Sequence, residues 1–241
     1  MRVLAVIVLV HTATPARGEI YLRQKATGSA ASGAGTITAT WPAPTLAGST
    51  LIAAIGAYPT ITFTAPSNQG WTSAVLKAYG NPQPKPVTQI FYSPNASSQS
   101  GASTWTLSGS ADTTIVLMEL GGAATSSVLD YTNTAKGFDL IPDSGDPGSV
   151  ATTQADEYAI GVLDISAGGI TFSSQALTNG YTFEQTVNST STNSMQVMVK
   201  TLTATAPQRT GATATGSSTA WVGAMATFKA LTPVTQKYWR G

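Results

Sequence analysis

One histidine, no cysteine and eleven carboxylates are the groups this chain has for acid–base and metal chemistry. His11 stands at the end of an apolar run with no acid near it in sequence, so a Ser-His-Asp triad or a histidine-based metal site would rest on that residue alone. The absence of cysteine removes disulfides, thiolate metal sites and a thiol nucleophile. Glu119 and Glu184 are the glutamates best placed to act as a glycosidase pair. Glu119, however, alternates with Met118 and Leu120 and reads as a solvent-facing strand residue. Asp139, Asp143 and Asp146 form the one calcium candidate, three hard oxygen ligands on a turn-rich stretch, although their spacing is not that of an EF-hand. GATATGSS from Gly211 imitates a phosphate loop, with Ser217 where lysine belongs, and reads as a turn. These residues point to no catalytic apparatus and require no cofactor.

The elements that would position such residues are strands. The segment STLIAAIGAY, ITFTAPSNQGWT, VTQIFYSPNA, STWTLSGSADTTIVLMEL recurs in order and type as DEYAIGVLDI, ITFSSQALTNGYT, MQVMVKTLTA, RTGATATGSSTAWVGAMATF. Leu51 falls on Tyr158, Phe63 on Phe172, Gly70-Trp71 on Gly180-Tyr181 and Gln89 on Gln196, roughly 107–110 residues apart. This is too long a period for a solenoid, so each unit is half of a folded domain. Charged residues make up 10% of the chain, against about 25% in an average soluble domain. Ser, Thr, Ala and Gly replace them, while 23 Gly and 13 Pro punctuate strands and break helices. The expectation is an all-β, eight-stranded antiparallel β-sandwich, jelly-roll-like, built from two pseudo-repeated four-strand halves at about 36–122 and 150–230. Residues 121–155 join the halves, and Asn81–Pro86 is a loop.

Before the sandwich, residues 1–30 read as an N-terminal β-hairpin or arm. Its first strand is the apolar run VLAVIVLV and its second is Glu19 to Lys25. The same run, preceded by Arg2, is also compatible with a short signal peptide, but eight residues are too few to span a bilayer. Residues 231–241 form a polar tail after the sandwich, with Tyr238 and Trp239 between Lys237 and Arg240. Charge is divided accordingly: the body holds five cations and ten carboxylates, whereas the two ends are basic. Basic ends on an acidic body suit docking on an acidic neighbour. The candidate partner-binding residues are Arg2, Val3, Leu4, Val6, Ile7, Arg17, Arg23, Lys237, Tyr238, Trp239 and Arg240. No basic stripe interleaved with aromatics points to nucleic acid, and no segment points to a membrane. Trp71, Tyr79, Phe91, Tyr92, Trp105, Tyr181 and Trp221 would bind glycans if they shared one exposed face, but most sit at strand positions suited to core packing.

TFTAPSNQGWT, VTQIFY, STWTLSGSADTTIVLMEL with Gly121-Gly122, TTQADEYAIGV, TNGYTFEQ and TAWVGAMATFK together resemble the jelly-roll or immunoglobulin-like β-sandwich modules of bacteriophage virion proteins and bacterial surface proteins. The likeness covers residues 36 to 230. It implies a non-enzymatic structural protein of the phage particle surface, most naturally a capsid decoration protein, and carries over no catalytic residue. Such a protein would be a homo-oligomer, a trimer among the forms expected, contacting the major capsid protein or other virion proteins through its arms. The alternative is a secreted or surface carbohydrate-binding β-sandwich, or a tail or fibre adhesion component, with a glycan as partner.

Overall fold

The computed structural model describes residues 19–80, 85–139, 151–166, 171–173, 179–188, 192–215 and 219–232. Every element among them is a strand. The first eight are β1 (Tyr21–Ala30), β2 (Thr36–Thr40), β3 (Thr50–Tyr58), β4 (Phe63–Thr64), β5 (Thr72–Ala78), β6 (Val87–Ser93), β7 (Ala102–Leu107) and β8 (Asp112–Gly121). Seven more follow: β9 (Leu129–Asp139), β10 (Glu157–Ser166), β11 (Thr171–Ser173), β12 (Thr182–Asn188), β13 (Asn193–Leu202), β14 (Thr213–Thr215) and β15 (Thr219–Lys229).

The two large sheets share one strand order. The first runs β1-β8-β3-β6-β5 and the second β9-β15-β10-β13-β12, all antiparallel. Irregularities recur at matching places: β5 bulges between Ser73 and Val75, and β12 between Phe183 and Gln185. The turns before these strands repeat as well, with positive φ at Gly70 and Gly180.

Burial on both faces explains the composition of the central strands. One face of each large sheet meets the other in a shared core of Ile52, Val116, Met118, Ile160, Val162, Val197, Ala226 and Phe228. The opposite face of the first sheet carries Leu51, Ile55, Phe91 and Leu117, and packs against the sheet β2-β7-β4 with Ile37, Trp41, Phe63 and Trp105. The opposite face of the second sheet holds Ala159, Leu163, Met198 and Met225, and the chain entering β14 lies on it, with the Thr210 side chain filling the space above Gly161. Strands sandwiched in this way have no water-facing side, which is why β3 and β8 are buried throughout and β3 reads as a nearly unbroken run of Leu, Ile and Ala. On the outer strand β7 burial alternates, as a half-exposed strand requires.

Three expectations are corrected. The chain is not one sandwich of two four-strand halves, because eight strands lie within residues 21–121 alone and each half contributes its own five-stranded sheet. Residues 129–139 are not a linker but β9, paired along β15. The segment from Glu19 to Lys25 is part of the first sheet, with Ile20 1% exposed in the shared core and β1 paired with β8, while the hairpin's expected first strand lies outside the described residues. Residues 20–30, expected in the arm, therefore belong to the folded body.

Candidate assembly interface

The first and last of the described segments meet at Gly122. This residue has φ +73°, and the Glu19 carbonyl packs where its side chain would stand, so a residue with a Cβ is excluded on two grounds. On its other side the Leu231 amide donates to the Gly122 carbonyl at 2.8 Å. Ala123 bridges Ala230, the Ala124 amide donates to the Lys229 carbonyl at 2.9 Å, and the Lys229 amide to the Val128 carbonyl at 2.8 Å. Ile20 and Ala230 are buried while Glu19 and Leu231 are exposed, so the chain crosses from core to surface on both sides of one glycine. The segments before Glu19 and after Thr232 thus start from a common place.

Of the partner-binding candidates, Arg2, Val3, Leu4, Val6, Ile7, Arg17, Lys237, Tyr238, Trp239 and Arg240 lie outside the described residues, as does His11. Arg23 lies inside and is occupied within the molecule. It sits at the irregularity in β1 between Leu22 and Gln24, and its Nε stands 3.1 Å from Glu119 Oε1. Glu119 itself is 1% exposed, which overturns its reading as a solvent-facing residue. Both faces of β8 are covered, so alternation with Met118 and Leu120 did not imply water. Its carboxylate accepts from Gln24 Nε2 at 2.6 Å, the Leu46 amide at 2.8 Å and Ser49 Oγ at 2.7 Å. Those bonds tie the loop before β3 to β8 and β1. Glu184 belongs to another tie: the Lys25 ammonium donates to its carboxylate at 2.7 Å and to its carbonyl at 2.6 Å, linking β1 of the first sheet to β12 of the second. The two glutamates are each held by their own cation.

Of the calcium candidates only Asp139 lies among the described residues. Asp139 ends β9 and accepts from Trp221 Nε1 at 2.9 Å, whereas Asp143 and Asp146 lie outside the described residues. Among the described residues no three His, Cys, Asp or Glu side chains form a metal-binding group. Thr213–Thr215 of the phosphate-loop look-alike is strand β14, with no helix to present amides to a phosphate.

No protein-family model, curated protein or solved structure matches this chain. Its chemistry has therefore to be judged from its own side chains. Phe91, Trp105, Tyr181 and Trp221 are buried, and Trp71 is drawn into the same packing with its ring 5.2 Å from that of Trp105, so these five form no exposed row. Phe138 and Phe183 are exposed, at 57% and 45%, and Lys85 Nζ stands 5.2 Å from the Phe138 ring centre and 5.1 Å from that of Tyr79. A cavity of about 320 Å³ is lined by Asn179, Lys200, Ala206, Pro207, Gln208 and Arg209, with no carboxylate on its wall. Lys200 donates to the Asn179 carbonyl at 2.7 Å and lies over the Tyr181 ring, a structural placement that presents no acid–base pair.

Proposed function

We propose that this chain is a non-enzymatic structural protein that works by assembly, as a decoration or cement protein on the surface of a bacteriophage head. In this reading each half is a jelly roll: β1-β8-β3-β6, with β5 beside it, stacks on β2-β7-β4, and β9-β15-β10-β13, with β12 beside it, goes with the shorter pair β11-β14. The observation that carries the assembly reading is the convergence of Glu19 and Leu231, from which the two terminal segments continue, on Gly122. Two basic arms, one ending in an apolar run and the other bearing Tyr238 and Trp239, leave one spot and can engage one neighbour together. Arms acting from one spot gain by effective concentration, so two weak contacts suffice for stable docking. The neighbour is a second copy of the chain or the major capsid protein, and the virion is the location.

The test is light scattering on the full chain and on a version lacking residues 1–18 and 233–241. The cuts must spare Ile20 and β1, since removing residues to 25 would strip a core side chain and half a strand. A full-length oligomer that becomes a folded monomer on truncation supports arm-driven assembly. A full-length monomer that also fails to bind assembled capsids would overturn it.

A secreted or surface glycan-binding module is the second reading, and the exposed Phe138 beside Lys85 and Tyr79 is the observation that favours it. An aromatic face flanked by ammonium groups suits stacking and hydrogen bonding to a sugar. Loss of glycan-array binding in Phe138→Ala would move it ahead.

A further inference from the structure

At the root of the C-terminal arm two acids face one base. Asp130 is 2% exposed at its side chain and pairs with Lys229 Nζ at 2.9 Å. It also accepts from the Thr153 amide at 2.5 Å and from the Thr153 hydroxyl. Glu157 opens β10 wholly buried, and neither carboxyl oxygen is in regular hydrogen-bond geometry with a donor. The groups around it come from three elements. They are Asp130 of β9, Thr227 and Lys229 of β15, and Leu202 of β13 directly opposite. Lys200, further along β13, is committed to the Asn179 carbonyl, and Asp156 in the preceding loop is exposed.

Two buried carboxylates beside one ammonium cannot both remain ionised cheaply, and the environments separate them. Burial alone would raise the Asp130 pKa, but the Thr153 and Lys229 donors bring it down to about 2. Burial raises Glu157 to about 7, helped by the Asp130 charge and opposed by Thr227 and Lys229. Below about pH 7 one proton therefore resides on the pair, and a protonated Glu157 can donate to Asp130.

The loop carrying these contacts also holds the arm. Thr153 caps Asp130, the Asp156 carbonyl accepts from the Ala230 amide at 2.9 Å, and Gln154 Nε2 reaches the Ala230 carbonyl at 3.5 Å. We propose that closing the 151–156 loop over Glu157 and the root of the C-terminal arm takes up one proton onto the Asp130–Glu157 pair, so that acid holds the root shut and rising pH loosens it. The sign follows from linkage. In the open loop Glu157 meets water and has its ordinary pKa of about 4.3, below its closed value, so opening releases a proton. Opening is favoured progressively as pH climbs from the open value to about 7, and levels off above that. This inference goes beyond assembly and holds whatever the arm docks on.

The experiment is amide exchange at Ala230 and Leu231 of the full chain between pH 4.5 and 8.5, corrected for intrinsic rates, with Glu157→Gln in parallel. The wild-type protein is expected to lose protection by up to about tenfold per pH unit below neutrality and to level off above it, while Glu157→Gln stays flat. A flat wild-type profile, or the same slope in Glu157→Gln, overturns the proposal. Should the variant fail to fold, the carboxyl carbon shift of Glu157 in the wild-type protein decides: a midpoint near 7 supports it, and one below about 5 overturns it.

Discussion

Asp164 and Gly56 meet across the seam between the two large sheets: a Cβ on Gly56 would stand 2.5 Å from Asp164 Oδ1. Asp164 is 0% exposed, and neither oxygen is in regular hydrogen-bond geometry with a donor. Burial pushes its pKa well above the ordinary carboxylate range, against the smaller pull of the Asn193 side chain and the Ala57 amide. The folded state thus binds a proton that the unfolded chain gives up near pH 4, and the protein loses stability as pH rises through that value toward the folded pKa. Asp164→Asn keeps the shape and cannot ionise, so it should raise stability near neutral pH by about 1–3 kcal/mol and flatten the pH dependence. Urea denaturation at pH 4 and pH 8 measures both, and a variant less stable than wild type at pH 8 would contradict this account.

Gly56→Ala follows from the same contact. The added methyl must displace a fully buried carboxyl, at a cost of about 1–3 kcal/mol. Because the strain is shared, Asp164→Ala should recover most of that loss when the two are combined, giving a coupling energy well beyond additivity. Additive effects in the double-mutant cycle would show that the two residues do not touch in solution.

Glu119 and Glu184 should differ in proportion to what surrounds them. Glu119→Ala leaves Gln24, the Leu46 amide and Ser49 without their acceptor, and Arg23 without its partner. Since Arg23 is 31% exposed, the expected cost is about 2–4 kcal/mol, less than for a fully buried pair. Glu184→Ala, whose partner Lys25 is 35% exposed, should cost no more than about 1 kcal/mol. Equal midpoints of denaturation for the two variants would refute the structural role given to Glu119.

Much of this fold can be read from the chain, because the strands β3 to β8 announce themselves by composition and recur later in the same order. Sidedness is harder to read. Alternation identifies a face only when the other face meets water, and in β8 both faces meet protein, so Glu119 reads as solvent-facing although it is 1% exposed. β9 reads as a linker for the opposite reason: as a sheet-edge strand, LDYTNTAKGFD has no apolar stripe, and its Asn, Gly and Asp read as turn residues. Ile20 reads as part of an arm because nothing local shows that the shared core extends to it. The Asp130–Glu157 pair carried no sequence signal, since 27 positions separate residues that only the β9–β15–β10 pairing brings together.

Trp105 and Trp221 are both buried, yet replacing each with phenylalanine should have different consequences. Trp105 is 0% exposed, packed with its ring 4.6 Å from Phe91 and 5.2 Å from Trp71, and its indole nitrogen has no partner. Trp105→Phe therefore deletes volume without breaking a hydrogen bond and should cost about 1–2 kcal/mol, while Trp105→Ala should cost about 3–5 kcal/mol by opening a cavity under β2-β7-β4. Trp221 instead lies flat on Gly137, and its Nε1 donates to Asp139 Oδ1 at 2.9 Å. Trp221→Phe removes that donor from the exposed Asp139 carboxylate at the end of β9, adding about 0.5–1 kcal/mol to the packing loss. The added cost should disappear when Asp139→Ala is present in both proteins, because the hydrogen bond is then already gone. Persistence of the full difference between the two tryptophans in the Asp139→Ala background would place the effect in packing alone and remove Asp139 from the account of how β9 is anchored.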